Sequence, residues 1–256
     1  MSSDYAARVR AKYNSITEIW TDDDLWHSYI HSRIVRAVQR LGSKINFSDL
    51  VIDVGSGGVK QNIRSASYVQ VDFAFERLVG ISSAVCADVH TLPFGDCIAD
   101  CVICVGPVVS YCSLVELVLE IGRIAKDGAF VLFHAELSNT FELLFRTQYR
   151  ADAAFVNTFY KGEEQLWMYS HQNVLRTLRE AKLRVLEVDY FHIASALAYR
   201  FTGRSNFASA FTWMDRLLRW MPGIGEISDS AIFLCQKMVE ADPLARSSPF
   251  LSYQTR

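Results

Sequence analysis

Asp53-Val54-Gly55-Ser56-Gly57 sets a carboxylate two residues ahead of a glycine turn, at the end of the apolar run that starts at Leu50. A glycine turn leading from a strand toward a helix lets backbone amides approach a ligand closely at the carboxyl edge of a sheet. A plain tight turn is the alternative for a lone G-x-G. Two further carboxylates stand at comparable places, Asp72 closing "YVQVD" and Asp88 closing "AVCAD". The dinucleotide fingerprint G-x-G-x-x-G fits Gly55 and Gly57 but meets Lys60 at its third position, and the Gly-Lys-Ser/Thr end of a phosphate loop is absent. Asp53 beside the turn would repel a pyrophosphate and suits a ligand with positive charge there. For proton transfer near neutral pH, histidine is the natural base. His134 in "VLFHAEL" is the first candidate, His90 after Asp88 the second, and Tyr111 is placed to orient an acceptor.

Other reactive residues carry less. Cys101 and Cys104 have redox or metal-ligand spacing inside "ADCVICVGPVV", with no second pair and no histidine partner at zinc spacing, so buried thiols in a strand are expected. His27 and His31 stand one helical turn apart without a third ligand in reach by sequence, and no metal site is expected. Glu136 follows His134 at strand period and either orients it or faces solvent.

The elements that must hold these residues alternate in period. "TDDDLWHSYIHSRIVRAVQRLG" reads as a capped amphipathic helix stopped by Gly42. Short β-branched runs then alternate with helical or turn segments: "LVIDV", "YVQVD", "AVCAD", "DCVICV", "AFVLFHAEL", "LRVLEVDYFHI" and "SDSAIFLCQK". Continuous apolar strands of this kind predict a parallel sheet covered on both faces, an α/β fold. Lys126-Asp127-Gly128 reads as a turn closing the helix "SLVELVLEIGRIA", and a helical pair is expected within about 194–224. At 256 residues, half of them apolar, the chain is expected to form one domain over 1–242: a helical cap (1–48), a ligand-binding core (49–137) and a substrate-side half (138–242), with a tail at 243–256. A net charge of −2 disfavours nucleic acid as a partner. No segment approaches the roughly 18 apolar residues of a membrane span, and "MSSDYAARVRAK" lacks a signal-peptide core, so a cytoplasmic protein is expected.

From Leu50 to about Leu137 the order of elements resembles class I S-adenosylmethionine-dependent methyltransferases of the small-molecule type. The family's first motif is an acid, any residue, glycine, any residue, glycine, matched by Asp53 to Gly57. Its second is an acid ending strand two that accepts from both ribose hydroxyls, matched by Asp72, with Phe73 against the adenine. The third takes the adenine amino group, matched by Asp88 and Val89, followed by Leu92-Pro93-Phe94. The resemblance implies a Rossmann-like, doubly wound, mostly parallel seven-stranded sheet with an N-terminal helical lid and a helical insertion before the last strand. It implies S-adenosyl-L-methionine as cofactor, S-adenosyl-L-homocysteine as product, and cofactor contacts from Ser56, Val105, Gly106 and Tyr13, the last in "KYNSITEIW". The acceptor would be an oxygen or nitrogen of a small molecule, in natural-product or glycan biosynthesis, and a homodimer is compatible.

The chain departs from the family at Val105-Gly106-Pro107, where many members carry a polar residue. The acid-or-Asn-Pro-Pro-aromatic motif of nucleic-acid amino-methylases and the Pro-Cys nucleophile of cytosine C5 enzymes are missing there, which favours a small acceptor. A methyltransferase-fold subunit without catalysis is the alternative that this apolar loop keeps open. A nicotinamide oxidoreductase is disfavoured by Lys60 and Asp53. The aromatic stretch "FASAFTWMDRLLRWMPGIG" reads as core packing, a substrate roof, a dimer face or a surface for a lipid-like acceptor.

Overall fold

The computed structural model describes residues 3–15, 24–158, 164–218, 221 and 223–239. The predicted tail at 243–256 and the first predicted cap residues, 21–23, lie outside the described residues. In chain order the strands are β1 (Leu50–Val54), β2 (Ser67–Asp72), β3 (Ala84–Cys86), β4 (Ala99–Cys104), β5 (Ala125–Glu136), β6 (Ala153–Thr158), β7 (Glu164–Tyr169), β8 (Leu183–Phe191) and β9 (Ser230–Lys237). Seven of them form one sheet in the order β3-β2-β1-β4-β5-β9-β8, and β6 and β7 pair as a separate hairpin. Pairing is parallel from β3 through β5, while β9 runs antiparallel to both β5 and β8. β8 therefore points the same way as β5, and the carboxyl ends of β1, β2, β4, β5 and β8 share one edge.

Helices cover both faces, as continuous apolar strands require. On one side α2 (Leu25–Gly42) lays Ile30, Ile34, Val38 and Leu41 against Val51, Ile103, Leu132 and Ile232. Asp24 starts that helix by accepting the amides of Trp26 and His27. On the other side α3 (Leu114–Ile124) and α4 (His171–Glu180) bury Leu117, Ile121, Val174 and Leu178 against Ile52, Val102, Val131 and Phe233. A short helix, α1 (Ser3–Ser15), precedes α2. No described helix is long and apolar enough to cross a membrane.

Several elements differ from the sequence expectations. The glycine turn opens no helix: residues 55–66, all described, are turn and loop. Three glycines with positive φ, at Gly55, Gly57 and Gly58, turn the chain out of helical geometry here. Lys126-Asp127-Gly128 is part of β5 rather than a turn, with an irregularity opposite Ala99 to Cys101 absorbing the extra length. β3 stops at Cys86, leaving Asp88 on the loop beyond it. The predicted helical pair is three short helices, α5 (Ala194–Thr202), α6 (Ser205–Ser209) and α7 (Thr212–Leu218). The β6–β7 hairpin was not foreseen; its inward residues Ala154, Val156 and Met168 close a small core with Leu143.

One buried ion pair ties α2 to β8. Arg33 and Asp189 are in contact with both side chains nearly buried, and the Arg40 guanidinium lies 3.6 Å from the other Asp189 oxygen. Removing one partner leaves a buried, uncompensated charge, so Asp189→Ala is expected to lower the unfolding free energy by about 3–5 kcal/mol in a denaturant titration. A loss within about 0.5 kcal/mol, the range of an ordinary surface substitution, would show that the pair does not hold α2 in place.

Candidate functional site

The chain leaves β1 through a turn that β2 clamps. The amides of Gly55 and Ser56 donate to the Val71 carbonyl at 2.8 and 3.0 Å, and the Gly57 amide donates to Asp72 Oδ2 at 2.7 Å. Arg77 Nε holds the Gly57 carbonyl from the far side at 2.9 Å. A Cβ on Gly55 would overlap the Val108 side chain, and one on Gly58 would overlap the Arg77 backbone carbonyl. Glycine at both places is therefore a steric need as well as a conformational one. Gly58 was not singled out from the sequence, although a third glycine in the run was the available signal.

One cleft at the carboxyl edge gathers most of the predicted residues. Gly55, Ser56 and Gly57 line it from the first turn, and Asp72 and Phe73 from the end of β2. Asp88, Val89 and His90 contribute the wall beyond β3, and Val105, Gly106 and Tyr111 the wall beyond β4. Tyr13 closes it from α1, together with Ala6, Val9 and Arg10. That spacing of i, i+3, i+4 and i+7 is one helical face, a signal present in the sequence but not used. Arg10, Gln61, Val108 and Cys112 are further lining residues that sequence reasoning missed.

Asp72 is almost fully buried and spends each oxygen on a backbone amide, Oδ2 on Gly57 and Oδ1 on Ala74 at 2.9 Å. Burial raises its pKa, and those amides pull it back. Across the cleft three rings meet. Tyr13 lies edge-on to Tyr111 with centroids 5.5 Å apart and tilted to Phe73 at 6.5 Å. The Arg10 guanidinium lies 5.6 Å over Phe73, and the Lys12 ammonium 5.8 Å from both Tyr13 and Tyr111.

The structure places Asp53 and His134 behind the cleft wall, not on it. Asp53 is buried and accepts the Tyr68 hydroxyl at 2.7 Å, while that hydroxyl accepts the Gln61 amide at 3.1 Å. Burial pushes the Asp53 carboxyl up to about 7, against the pull of the Tyr68 hydrogen bond. His134, 1% exposed, donates from Nδ1 to the Gly106 carbonyl at 2.8 Å and stacks on Phe191. It thus holds the Val105–Pro107 loop, in which Gly106 has φ 88°. Glu136 accepts the Ser110 hydroxyl at 2.9 Å and steadies the same wall.

His90 is in the cleft, but both its nitrogens are engaged. Nδ1 donates to Asp88 Oδ1 at 2.6 Å, and Nε2 accepts the Ser113 amide at 3.1 Å. Cys101 and Cys104 are buried, with thiols that burial pushes up. His27 pairs with Asp24, and no group of three metal-ligating side chains occurs among the described residues.

No protein-family model and no curated protein matches the chain in sequence comparison. Among solved structures it is similar to a geranyl diphosphate C-methyltransferase from Streptomyces coelicolor A3(2), in complex with Mg2+, geranyl diphosphate and S-adenosyl-L-homocysteine. The TM-score is 0.56 at 10% identity, covering 93% of this chain and 99% of that one. It is also similar to the Burkholderia thailandensis 1,6-didemethyltoxoflavin-N1-methyltransferase, with TM-score 0.51 at 12% identity over 93% and 92% of the two chains. A third similar structure is the cyclase SpnF, with TM-score 0.52 at 17% identity over 81% and 80%. The chain has the α/β Rossmann-like fold of these proteins.

His134 also gives the site a pH signature. Burial pushes it down to about 4, so it stays neutral in the folded protein where the unfolded chain would take up a proton near 6.5. Its contribution is intact above pH 6.5 and is lost as pH falls toward 4, by about 3 kcal/mol at 1.36 kcal/mol per pKa unit. Buried His192, pushed down to about 3, acts in the same direction. Unfolding free energy measured from pH 7 to pH 4 is expected to fall steeply in wild type and less steeply in His134→Gln. Equal slopes would show that His134 is solvated.

Proposed function

We propose that the protein binds S-adenosyl-L-methionine in this cleft and methylates an oxygen or nitrogen of a small molecule, leaving S-adenosyl-L-homocysteine. The observation that carries the reading is Asp72, a nearly buried carboxylate between the glycine turn and Phe73, opening on a cleft that Asp88 shares. Each Asp72 oxygen accepts one backbone amide and keeps a lone-pair site, which suits a vicinal diol such as a ribose. Phe73 offers a flat apolar face for a base, and half-exposed Asp88 an acceptor for an exocyclic amino group. A cleft lined by two carboxylates, Asp72 and Asp88, with no helix N-terminus at its turn is a poor host for a pyrophosphate.

The bound cofactor supplies an already activated methyl group, so the chain's task is alignment and exclusion of water. α1 covers the cleft, with the Tyr5 hydroxyl donating to the Gln165 carbonyl at 2.6 Å and the Glu76 amide to Asn14 Oδ1 at 3.2 Å. Tyr111 is the pocket residue placed to orient an acceptor. His90 and His134 serve as positioning residues, since the first has both nitrogens occupied and the second faces the Gly106 carbonyl. Six free thiols fit a reducing cytoplasm. A second reading, cofactor binding without methyl transfer, is favoured by the same lack of a free base among the cleft histidines; SpnF carries a cyclase name on this fold.

Calorimetry of the purified protein is expected to show binding of S-adenosylmethionine and S-adenosylhomocysteine and none of NAD; the reverse pattern would overturn the proposal. Asp72→Ala is expected to weaken S-adenosylmethionine binding by about 1.5–3 kcal/mol, the scale of a charged hydrogen bond. Unchanged affinity in a folded variant would remove Asp72 from the site.

A further inference from the structure

We propose that the helical insertion α5–α7 and the adjacent Phe145-Arg146 turn form a docking surface for an anionic lipid bilayer. The inference stands apart from the cofactor reading. Six large apolar side chains are more than half exposed here: Phe145 at 87%, Phe201 at 76%, Trp213 at 65%, Leu217 at 64%, Phe207 at 53% and Met221 at 51%. Scattered exposed apolar residues need no explanation, but five of these fall within the stretch 201–221. The Arg200 guanidinium donates to the Leu144 carbonyl at 3.3 Å, which joins the Phe145 turn to α5.

The outward face of α7 is fixed rather than loose. Trp213, Arg216 and Leu217, at i, i+3 and i+4, are exposed, whereas Asp215 is buried and accepts the amides of His192, Ile193 and Ala194 at 2.8, 3.1 and 2.8 Å. That clamp holds the helix by its inner side to the end of β8 and leaves the aromatic and aliphatic side outward.

Charge selects the occupant. Across the Phe145 turn and the stretch from Ala194 to Leu218 the basic residues are Arg146, Arg200, Arg204 and Arg216, and the acids are Glu142, which interacts with Arg146 and Arg200, and the buried Asp215. Arg204, Arg216 and the nearby Arg146 are exposed. The whole chain carries −2, so this face is basic against the average. A second copy docked patch to patch would oppose like charges. An anionic bilayer neutralises the arginines while its interface accepts tryptophan and phenylalanine, the pattern of helices that lie on a membrane. Because β8 parallels β5, the insertion emerges at the sheet edge that carries the cleft, and docking would turn that edge toward the bilayer.

Vesicle co-sedimentation of the full chain tests this, comparing phosphatidylcholine alone with phosphatidylcholine containing about one third phosphatidylserine. Wild type is expected to bind the anionic vesicles at least about tenfold more strongly, and to lose that preference in high salt. Arg204→Glu/Arg216→Glu and, separately, Trp213→Ser/Leu217→Ser are each expected to weaken binding about tenfold or more with melting temperatures unchanged. Wild type left in the supernatant, equal binding to both vesicle types, or unaffected binding in both variants would overturn the proposal. A wild-type dimer that the Trp213→Ser/Leu217→Ser variant dissociates, without vesicle binding, would overturn it in favour of a self-interface.

Discussion

The hydrogen bond from the Gly57 amide to the Asp72 carboxylate is the joint on which the cleft depends. It pulls the chain leaving β1 across the end of β2, and the positive φ values of Gly55, Gly57 and Gly58 are the backbone's response. With no helix beyond the turn, side chains do the work a helix would do. Arg77 holds the Gly57 carbonyl, and the Tyr68 hydroxyl bridges Asp53 and the Gln61 amide. The electrostatic consequence follows from the same absence. A helix N-terminus would bring positive potential to the turn and favour an anion. Here Asp72 and Asp88 line the cleft, with Arg10 of α1 facing them and Asp53 buried behind, so the end of β2 and the loop beyond β3 offer acceptors and not an anion site.

Residues that look reactive in sequence act as scaffolding on the opposite wall. The last residues of β5 reach sideways to the loop after β4, His134 to the Gly106 carbonyl and Glu136 to the Ser110 hydroxyl. A buried neutral histidine is a costly way to hold a carbonyl in acid, and burial rather than a charged neighbour is what lowers it. His90 is similar: its two nitrogens join Asp88 to the start of α3 through the Ser113 amide. Polar side chains behind the cleft thus hold the loops whose glycines, aliphatic side chains, aromatic rings and carboxylates line it.

This division explains what the sequence made legible. The cleft positions of Asp72, Asp88 and the glycines were readable because each follows or closes a short apolar strand, a local property. His134 also stands at a strand end, but β9 pairs beside it and Phe191 of β8 stacks on it, contacts made by residues about a hundred positions or less away that no local pattern records. The helix expected after the turn is absent because Gly55, Gly57 and Gly58 take positive φ and the Gly57 amide is spent on Asp72, a tertiary contact that the local pattern does not record. The β6–β7 hairpin escaped notice because its alternation rests on a few small inward residues such as Ala154 and Val156, too weak a signal over six positions.

The carboxyl edge also has two separately anchored ends. α1 is held by the Tyr5 hydroxyl on the Gln165 carbonyl of β7, by Asn14 on the Glu76 amide and by the Tyr13 ring against Phe73 and Tyr111. The insertion is bound to the core more firmly: Asp215 accepts three consecutive amides at the end of β8, and the His192 ring stacks on Trp26 of α2 with centroids 3.7 Å apart. Arg33 and Asp189 join those same two elements, α2 and β8, about two helical turns further along α2. The insertion thus shares its anchoring elements with that ion pair, whereas α1 is held by β7 and by the loops that follow β2 and β4.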